Sequence, residues 1–434
     1  MKRISLVLII LALAAAGLFA ACSDSDGGGE PTTATATVEA TATPGTPEPL
    51  PESLQRILDR VAEVRQLEAP PTLNVEFVPR SGVVDLLDQL TTEKDREWFA
   101  KVTDLYRLLG HLRNDQDYLD IYKSFGGAAV LGVYSPVEKT LWIVHEDGRD
   151  PDLEELSRPL EETLAHEIVH ALQDYHFDLM AADDEFEDNF DITQAWSAVI
   201  EGDAVTHEEL YSARFLALPG SQVILASAAQ IPNVPPSIIR EMYFPYTTGA
   251  DWVRTARDER GTAQIDTWLV EPPQGTAYIL HPELLDSGFE PDIPELPDLS
   301  KALGKGFERT WSSTLGEFNL RNYLQLYARA SSATTAAAGW AGDRFDIYKN
   351  GDQSVGMFRV RFTNEDEAAE FDAAYREFLD RAKRSIEERD GVTFAELADG
   401  DVVALGGQQG TDVIFAIASN RELVSQAISA LRKG

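Results

Sequence analysis

The sequence contains one cysteine, Cys22, in 434 residues. A single thiol cannot form an internal disulfide or supply a cluster of thiolate ligands. Any metal site in this chain must therefore be built from His, Asp and Glu side chains. Histidine is also scarce, with seven residues in the chain, so two closely spaced histidines deserve a test as metal ligands.

Positive charge is the second deficit. Lys and Arg total 37 against 73 Asp and Glu, and the formal net charge is -36. This excess of acid argues against nucleic acid as a partner, and against binding of anionic lipid through a basic surface. The hydrophobic content of 44% is ordinary for a globular chain and leaves room for two or three domains.

The N-terminus has the pattern of a cleaved export signal. Lys2 and Arg3 precede an apolar stretch, residues 4–19, that is short for a membrane span. The residues Phe-Ala-Ala-Cys, which end at Cys22, resemble a bacterial lipobox. The resemblance implies cleavage before Cys22 and lipid attachment to its thiol, with an ordinary secretion signal as the alternative. We therefore expect a lipid-anchored protein on the extracytoplasmic face of the cell membrane.

Periodicity divides the rest of the chain. Residues 23–50, rich in Gly, Pro, Thr and Ala, predict a disordered linker. Two β-prone runs, 128–134 and 139–144, predict a hairpin. Apolar residues recur at helical spacing in five further stretches, which are 53–67, 83–90, 93–112, 152–175 and 192–216.

After residue 343 the pattern becomes strand, strand, helix, strand, strand, helix, with the first helix over 365–386. The predicted fold class is therefore α+β. We expect four segments: a signal peptide (1–22), a linker (23–50), a mainly helical domain with a small hairpin or sheet (51–342), and a ββαββα domain (343–434).

The main chemical signal is His166-Glu167-Ile168-Val169-His170, an H-E-x-x-H motif on a predicted helix. Four residues rotate about 40° past a full turn, so both imidazoles can bind one ion from the same face. Glu167 would lie beside that ion, where it can act as the general base. The alternative is a pair of helix histidines with no metal.

Two residues compete as the third zinc ligand. His176 would complete a longer histidine pattern, but on a continuous helix it points about 80° away from His166. Glu201 lies 31 residues after His170 on the next long helix, between the apolar residues 198–200 and the small Gly202. Glu201 is therefore the preferred ligand. The small size of Gly202 predicts a close approach of this helix to the first.

The stretch from His166 to Tyr175 is similar to the active-site helix of thermolysin-like gluzincins, a class of zinc metallopeptidases. It also resembles bacterial secreted or lipid-anchored H-E-x-x-H proteins with an E-G-D-A and an I-L-H-P segment, which here are 201–204 and 279–282. The resemblance implies a zincin-like domain, a peptidase activity, and a β-strand in 131–136 along which a peptide substrate lies.

Supporting roles are predicted for four other residues. Asp174 and Asp203 are candidates to accept the outer N–H group of a ligand histidine. His281 is the candidate donor to the oxyanion of a tetrahedral intermediate, with Tyr246 as its rival. Simple packing or surface exposure is the alternative for each of them. His207 lies about 240° from Glu201 around the helix, which predicts a solvated side chain.

Two functions follow from these residues. The first is a zinc-dependent peptidase outside the cytoplasm, in which Glu167 activates water for attack on a peptide bond. The second is a non-catalytic lipoprotein with a structural zinc site that acts as a binding module.

Overall fold

The computed structural model describes residues 10–13, 50–148, 153, 156–186, 188–217 and 233–433. Cys22, most of the predicted signal peptide and nearly all of the predicted linker lie outside these residues. No helix in the described part of the chain is long and apolar enough to cross a membrane.

Helices dominate the described residues up to residue 290. They are α1 (Glu52–Arg65), α2 (Val83–Leu90), α3 (Glu93–Leu109), α4 (Tyr118–Ala129), α5 (Arg158–Phe177), α6 (Leu179–Phe186), α7 (Phe190–Tyr211), α8 (Pro236–Tyr243), α9 (Ala250–Arg260), α10 (Thr262–Val270), α11 (Ala277–Leu280) and α12 (Leu284–Ser287). Two π-helical turns, Ser212–Leu216 and Pro245–Gly249, follow α7 and α8.

A four-stranded sheet packs beside these helices. Its strands are β1 (Ile10–Leu13), β2 (Asn74–Pro79), β3 (Val130–Ser135) and β4 (Thr140–His145), in the order β1-β3-β4-β2. The antiparallel pairing of β3 with β4 confirms the predicted hairpin. Strand β2 is parallel to β4, and β1 is antiparallel to β3. The pairing of β1 lies inside the segment that the sequence predicts to be a signal peptide.

Helices α5 and α7 lie at the centre of the helical part. Helix α5 begins at Arg158, later than the predicted residue 152, with Pro159 in its first turn, where a missing N–H is harmless. Helix α7 begins after Asn189, whose side chain accepts a hydrogen bond from the amide of Ile192. Helix α1 packs against both α5 and α7, and β3 packs against α5. Neither central helix therefore has a broad solvated face.

A seven-stranded antiparallel sheet forms the C-terminal part. Its strands are β5 (Glu308–Ser313), β6 (Trp340–Asn350), β7 (Gln353–Phe362), β8 (Ser385–Arg389), β9 (Val392–Glu396), β10 (Val402–Gln409) and β11 (Asp412–Ala418), in the order β5-β6-β7-β11-β10-β9-β8. Its helices are α13 (Gly316–Leu324), α14 (Ala330–Ala337), α15 (Glu365–Ala382) and α16 (Arg421–Leu431). Helices α3 and α15 share the core on one face of the sheet, and α16 packs on the other.

The α+β class is confirmed, but the predicted ββαββα order of residues 343–434 is incomplete. The structure has ββαββββα there, because residues 385–396 form the hairpin β8–β9. The helix predicted to reach residue 386 ends at Ala382. Strand β5 also joins this sheet by pairing with β6, so the sheet extends beyond the predicted domain towards the N-terminus.

Candidate metal centre

His166 and His170 lie one turn apart on α5, as the motif predicts. Their side chains are buried, with 2% and 0% exposure, and their ring centroids are 4.8 Å apart. Apolar neighbours on the same helix are fully buried as well and fix the helix in the core. The two imidazoles therefore face one small volume inside the protein.

Glu201 reaches the same volume from α7. Its Oε2 atom is 3.3 Å from Nε2 of His166 and 3.4 Å from Nε2 of His170. Donor atoms that bind one zinc ion tetrahedrally, at about 2.0–2.1 Å, lie about 3.4 Å from each other. The two distances to Glu201 match this spacing, and all three donor atoms lie within 4.8 Å of one another, so the three side chains could hold a zinc ion. Among the described residues, no other three His, Cys, Asp or Glu side chains converge in this way.

The Nε2 atom of His170 adds an independent sign of a ligand. It is buried and makes no hydrogen bond of acceptable geometry within the described structure. Buried polar atoms in proteins nearly always have a hydrogen-bond partner, so such an atom calls for an explanation. A metal ion at the point shared with Glu201 would provide the missing partner.

The charges of the group suit a cation. Burial would raise the pKa of Glu201, but the adjacent imidazoles of His170 and His166 lower it to about 2. Burial would lower the pKa of His166, but hydrogen bonds to Glu201 and Glu208 raise it to about 10. In the absence of metal, one proton is therefore held between His166 and its carboxylates. A divalent cation would replace that proton.

The outer nitrogens of both histidines have oxygen partners. Nδ1 of His166 lies 3.1 Å from Oε2 of Glu208, and Nδ1 of His170 lies 2.9 Å from Oε1 of Gln173. Such partners orient ligand histidines and set their tautomers. Sequence reasoning missed both. Glu208 could have been found, because it follows Glu201 by seven residues, or two helical turns, and so lies on the same face of α7.

Asp174, which was predicted to accept the outer N–H group of a ligand histidine, has other partners. Its carboxylate accepts hydrogen bonds from the hydroxyl of Tyr134 at 2.7 Å and from Nζ of Lys139 at 2.5 Å. It therefore ties α5 to the β3–β4 hairpin and contacts neither His166 nor His170. Asp203 makes no direct contact with either histidine, but it accepts a hydrogen bond from Gln173 at 2.8 Å.

Glu167, between the two histidines, is completely buried. Strand β3 passes directly over it at Gly132. A β-carbon on Gly132 would lie 2.7 Å from Cγ of Glu167 and 3.1 Å from Cγ2 of Thr163. Only glycine therefore allows the strand to lie this close to the predicted general base.

Tyr246, in the π-helical turn Pro245–Gly249, lies at the cluster of His166, His170 and Glu201, which we call the metal group. Its ring stacks on His166, with centroids 6.3 Å apart and an interplanar angle of 22°. Burial raises the pKa of Tyr246 well above its usual value, and the negative charge of Glu201, to which its hydroxyl is hydrogen-bonded, adds to this effect. The hydroxyl is thus a protonated donor inside the site.

Two glycines allow the turn Pro245–Gly249 to approach α7 closely. A β-carbon on Gly202 would lie 2.6 Å from the carbonyl oxygen of Gly249, and one on Gly249 would lie 2.7 Å from that of Ala198. Gly202 was predicted to bring α7 close to α5. Its close neighbour is instead Gly249, and this contact brings Tyr246 to Glu201.

The remaining histidines lie outside the group. Nε2 of His281 is 2.8 Å from Oε1 of Glu317, so nothing in its contacts supports the predicted oxyanion role. His176 contacts the carbonyl oxygen of Glu68 at 2.8 Å and is not a ligand. His207 was predicted to be solvated, and this was wrong: it is 1% exposed, with Nδ1 2.9 Å from Asp203.

Comparison with known proteins bears on a different part of the chain. A family described as a domain of unknown function (DUF8575) matches residues 305–427. The matched stretch runs from just before β5 into α16, and it contains none of the residues of the metal group. No curated protein and no solved structure matches the chain.

Proposed function

We propose that this chain is a zinc-dependent peptidase that acts outside the cytoplasm on peptide or protein substrates. The observation that carries the proposal is the convergence of His166, His170 and Glu201 on one point, with Glu167 between the two histidines. The helical part of the chain would then be a zincin-like domain that resembles the thermolysin-like gluzincins.

Three protein ligands favour an enzyme over a structural site. Structural zinc ions usually have four protein ligands, whereas catalytic ions keep one position open for water and substrate. No fourth His, Cys, Asp or Glu ligand joins the group in the described part of the chain. Zinc bound there would polarise a carbonyl oxygen and lower the pKa of a water molecule.

The residues of the chain supply the proton transfers. Glu167 would take a proton on its carboxylate from the attacking water and return it to the nitrogen of the leaving amine. Tyr246 would donate its hydroxyl proton in a hydrogen bond to the oxyanion that forms from the carbonyl. We therefore assign to Tyr246 the role that the sequence analysis gave first to His281.

The free edge of β3 would receive the substrate. In the structure Ile10–Leu13 pairs with this edge in antiparallel register, with Ala12 opposite Gly132. An extended chain at this edge therefore passes the residue that lies against Glu167. Cleavage before Cys22 would remove Ile10–Leu13 and open the edge to a peptide. The lipid anchor at Cys22 would keep the mature chain at the outer face of the membrane.

The test is cleavage of a peptide library by the zinc-loaded chain, with products read by mass spectrometry. Glu167→Gln should keep its zinc and lose about 100- to 10,000-fold in kcat, the usual contribution of general base catalysis. Glu161→Gln is the matched control, because Glu161 is on the same helix but contacts Tyr211 and Arg60. Cleavage that survives Glu167→Gln, or a zinc-bound wild type that cleaves nothing, would favour the non-catalytic binding module.

A further inference from the structure

Gln173 connects the metal group to a buried ion pair. It lies one turn after His170 on α5 and is completely buried. Its side-chain amide makes three hydrogen bonds, one to His170 and two to α7. Both the oxygen and the NH2 group of Gln173 therefore have hydrogen-bond partners inside the protein.

The partners on α7 fix the direction of this amide. Nε2 of Gln173 lies 2.8 Å from a carboxylate oxygen of Asp203 and 3.0 Å from the carbonyl oxygen of Ile200. Both partners are acceptors only, so they must face the NH2 group of Gln173. The oxygen of Gln173 must then face Nδ1 of His170, at 2.9 Å.

This direction determines the tautomer of His170. Opposite a carbonyl oxygen, Nδ1 must carry the hydrogen and donate it. In the neutral ring, Nε2 is then left with its lone pair, which is the form that binds a metal. Nε2 is the atom that lies 3.4 Å from Glu201.

Asp203 is itself held in place by Arg65, the last residue of α1. Nε of Arg65 is 2.8 Å from Oδ2 of Asp203, and both side chains are fully buried. Arg65 also contacts Asp266 on α10, with its Nη2 2.5 Å from Oδ1. An ion pair buried this completely keeps both groups charged and in one place, because separating them would leave an uncompensated charge in the core.

We propose that Gln173 is the positioning residue of His170: it fixes the Nδ1–H tautomer and aims Nε2 at the metal, and the Asp203–Arg65 pair holds Gln173 in the required direction. This inference rests on the proposed zinc site. It extends the site from three ligands to a chain of contacts that reaches α1.

The experiment measures zinc affinity of the full chain in detergent, by competition with a chromogenic chelator. Gln173→Met keeps the length and apolar volume of the side chain but removes the oxygen that faces His170. Gln173→Glu keeps an oxygen there, and its protonated form can still donate to Asp203. We expect Gln173→Met to weaken zinc binding about 10- to 100-fold, the usual effect of removing such a partner, and Gln173→Glu to stay within about threefold of wild type.

Asp174→Asn is the matched control. Asp174 is the next residue on α5 and is 3% exposed, but its partners are Tyr134 and Lys139. This variant should lower the thermal midpoint and leave zinc affinity within about threefold of wild type. The absorption spectrum of the Co2+-substituted chain should change in Gln173→Met alone, because the spectrum follows ligand geometry and not overall stability.

Unchanged affinity in Gln173→Met overturns the inference. So does an equal loss in Asp174→Asn, which would reduce Gln173 to a packing residue, or a loss in Gln173→Glu as large as in Gln173→Met. A wild-type chain that takes up no zinc contradicts both this inference and the proposed function. A chain that binds zinc and cleaves no peptide contradicts only the function.

Discussion

The Oε2 atom of Glu201 lies 3.3 Å from Nε2 of His166, although 35 residues separate them in the chain. The two residues lie on different helices, so the metal group exists only while α5 and α7 are packed together. Buried polar contacts also join these two helices, since Gln173 on α5 donates hydrogen bonds to Ile200 and Asp203 on α7.

Glu208 should support zinc binding through His166. Replacement by Gln keeps an oxygen near Nδ1 but removes the negative charge that strengthens the hydrogen bond. We expect Glu208→Gln to weaken zinc binding about 10-fold or more, as measured by chelator competition. Glu209→Gln is the control, since Glu209 pairs with Arg254 instead. Equal effects of the two substitutions would contradict the assigned role of Glu208.

Gly132 should matter for turnover and not for zinc binding. Its added β-carbon in Gly132→Ala would press on Cγ of Glu167 and displace the carboxylate or the strand. A shift of about 1 Å at a catalytic group can cost about 100-fold in rate. We expect kcat on a cleaved peptide to fall by about that factor while zinc content stays the same.

The control for Gly132→Ala is Gly126→Ala on α4. There the added carbon would meet Cδ1 of Leu87 at 2.5 Å, a similar crowding that does not involve Glu167. Full activity in Gly132→Ala, or an equal loss in Gly126→Ala, would mean that β3 does not position Glu167.

Asp191, in the first turn of α7, should make stability depend on pH. It is 1% exposed and accepts hydrogen bonds from the amide and hydroxyl of Thr276. Burial raises its pKa to about 8, with a further contribution from the negative charges of Asp343 and Glu317, although the bonds from Thr276 oppose the shift. Below the unfolded-state pKa of about 4, Asp191 is protonated in both the folded and the unfolded state. It then does not make the free energy of unfolding depend on pH.

Between about pH 4 and pH 8, the folded state keeps this proton and the unfolded state does not. Stability therefore falls as pH rises through this range and levels off above it. Asp191→Asn resembles the protonated acid, so its thermal midpoint should fall less steeply from pH 5 to pH 8 than that of the wild type. Asp188→Asn, at an exposed site, should keep the wild-type slope. Parallel slopes for Asp191→Asn and wild type would contradict a protonated Asp191.

The sequence predicted that His166, His170 and Glu201 lie together because helical geometry is local. The 3.6-residue repeat places His166 and His170 on one face, and the apolar neighbours of Glu201 place it in the core. The same reasoning failed for His207, because rotation around a helix tells which side a residue faces and not what covers that side. Helix α7 is buried on nearly all sides, so His207 faces Asp203 instead of solvent.

The hydrogen-bond partners of these three residues depend on tertiary packing. Nothing local in the sequence shows that Gly202 faces Gly249, and so Tyr246 could be named only as a rival to His281. The hairpin β8–β9 is a different case, because its turn has the sequence Asp390-Gly391, which favours a two-residue hairpin loop. Glu387 and Glu388 have low strand propensity, so the sequence of β8 gives little strand signal. Their exposed position on the edge strand explains why charged residues are tolerated there.

The central claim is that one zinc ion binds to His166, His170 and Glu201, and zinc content per chain tests it most directly. The full chain would be purified in detergent, passed through gel filtration and analysed by elemental mass spectrometry, with Glu201→Gln treated in the same way. We expect close to one zinc per wild-type chain and a large loss in Glu201→Gln. A wild-type chain that holds no zinc even after incubation with the metal, or a Glu201→Gln chain that holds as much as wild type, would contradict the account.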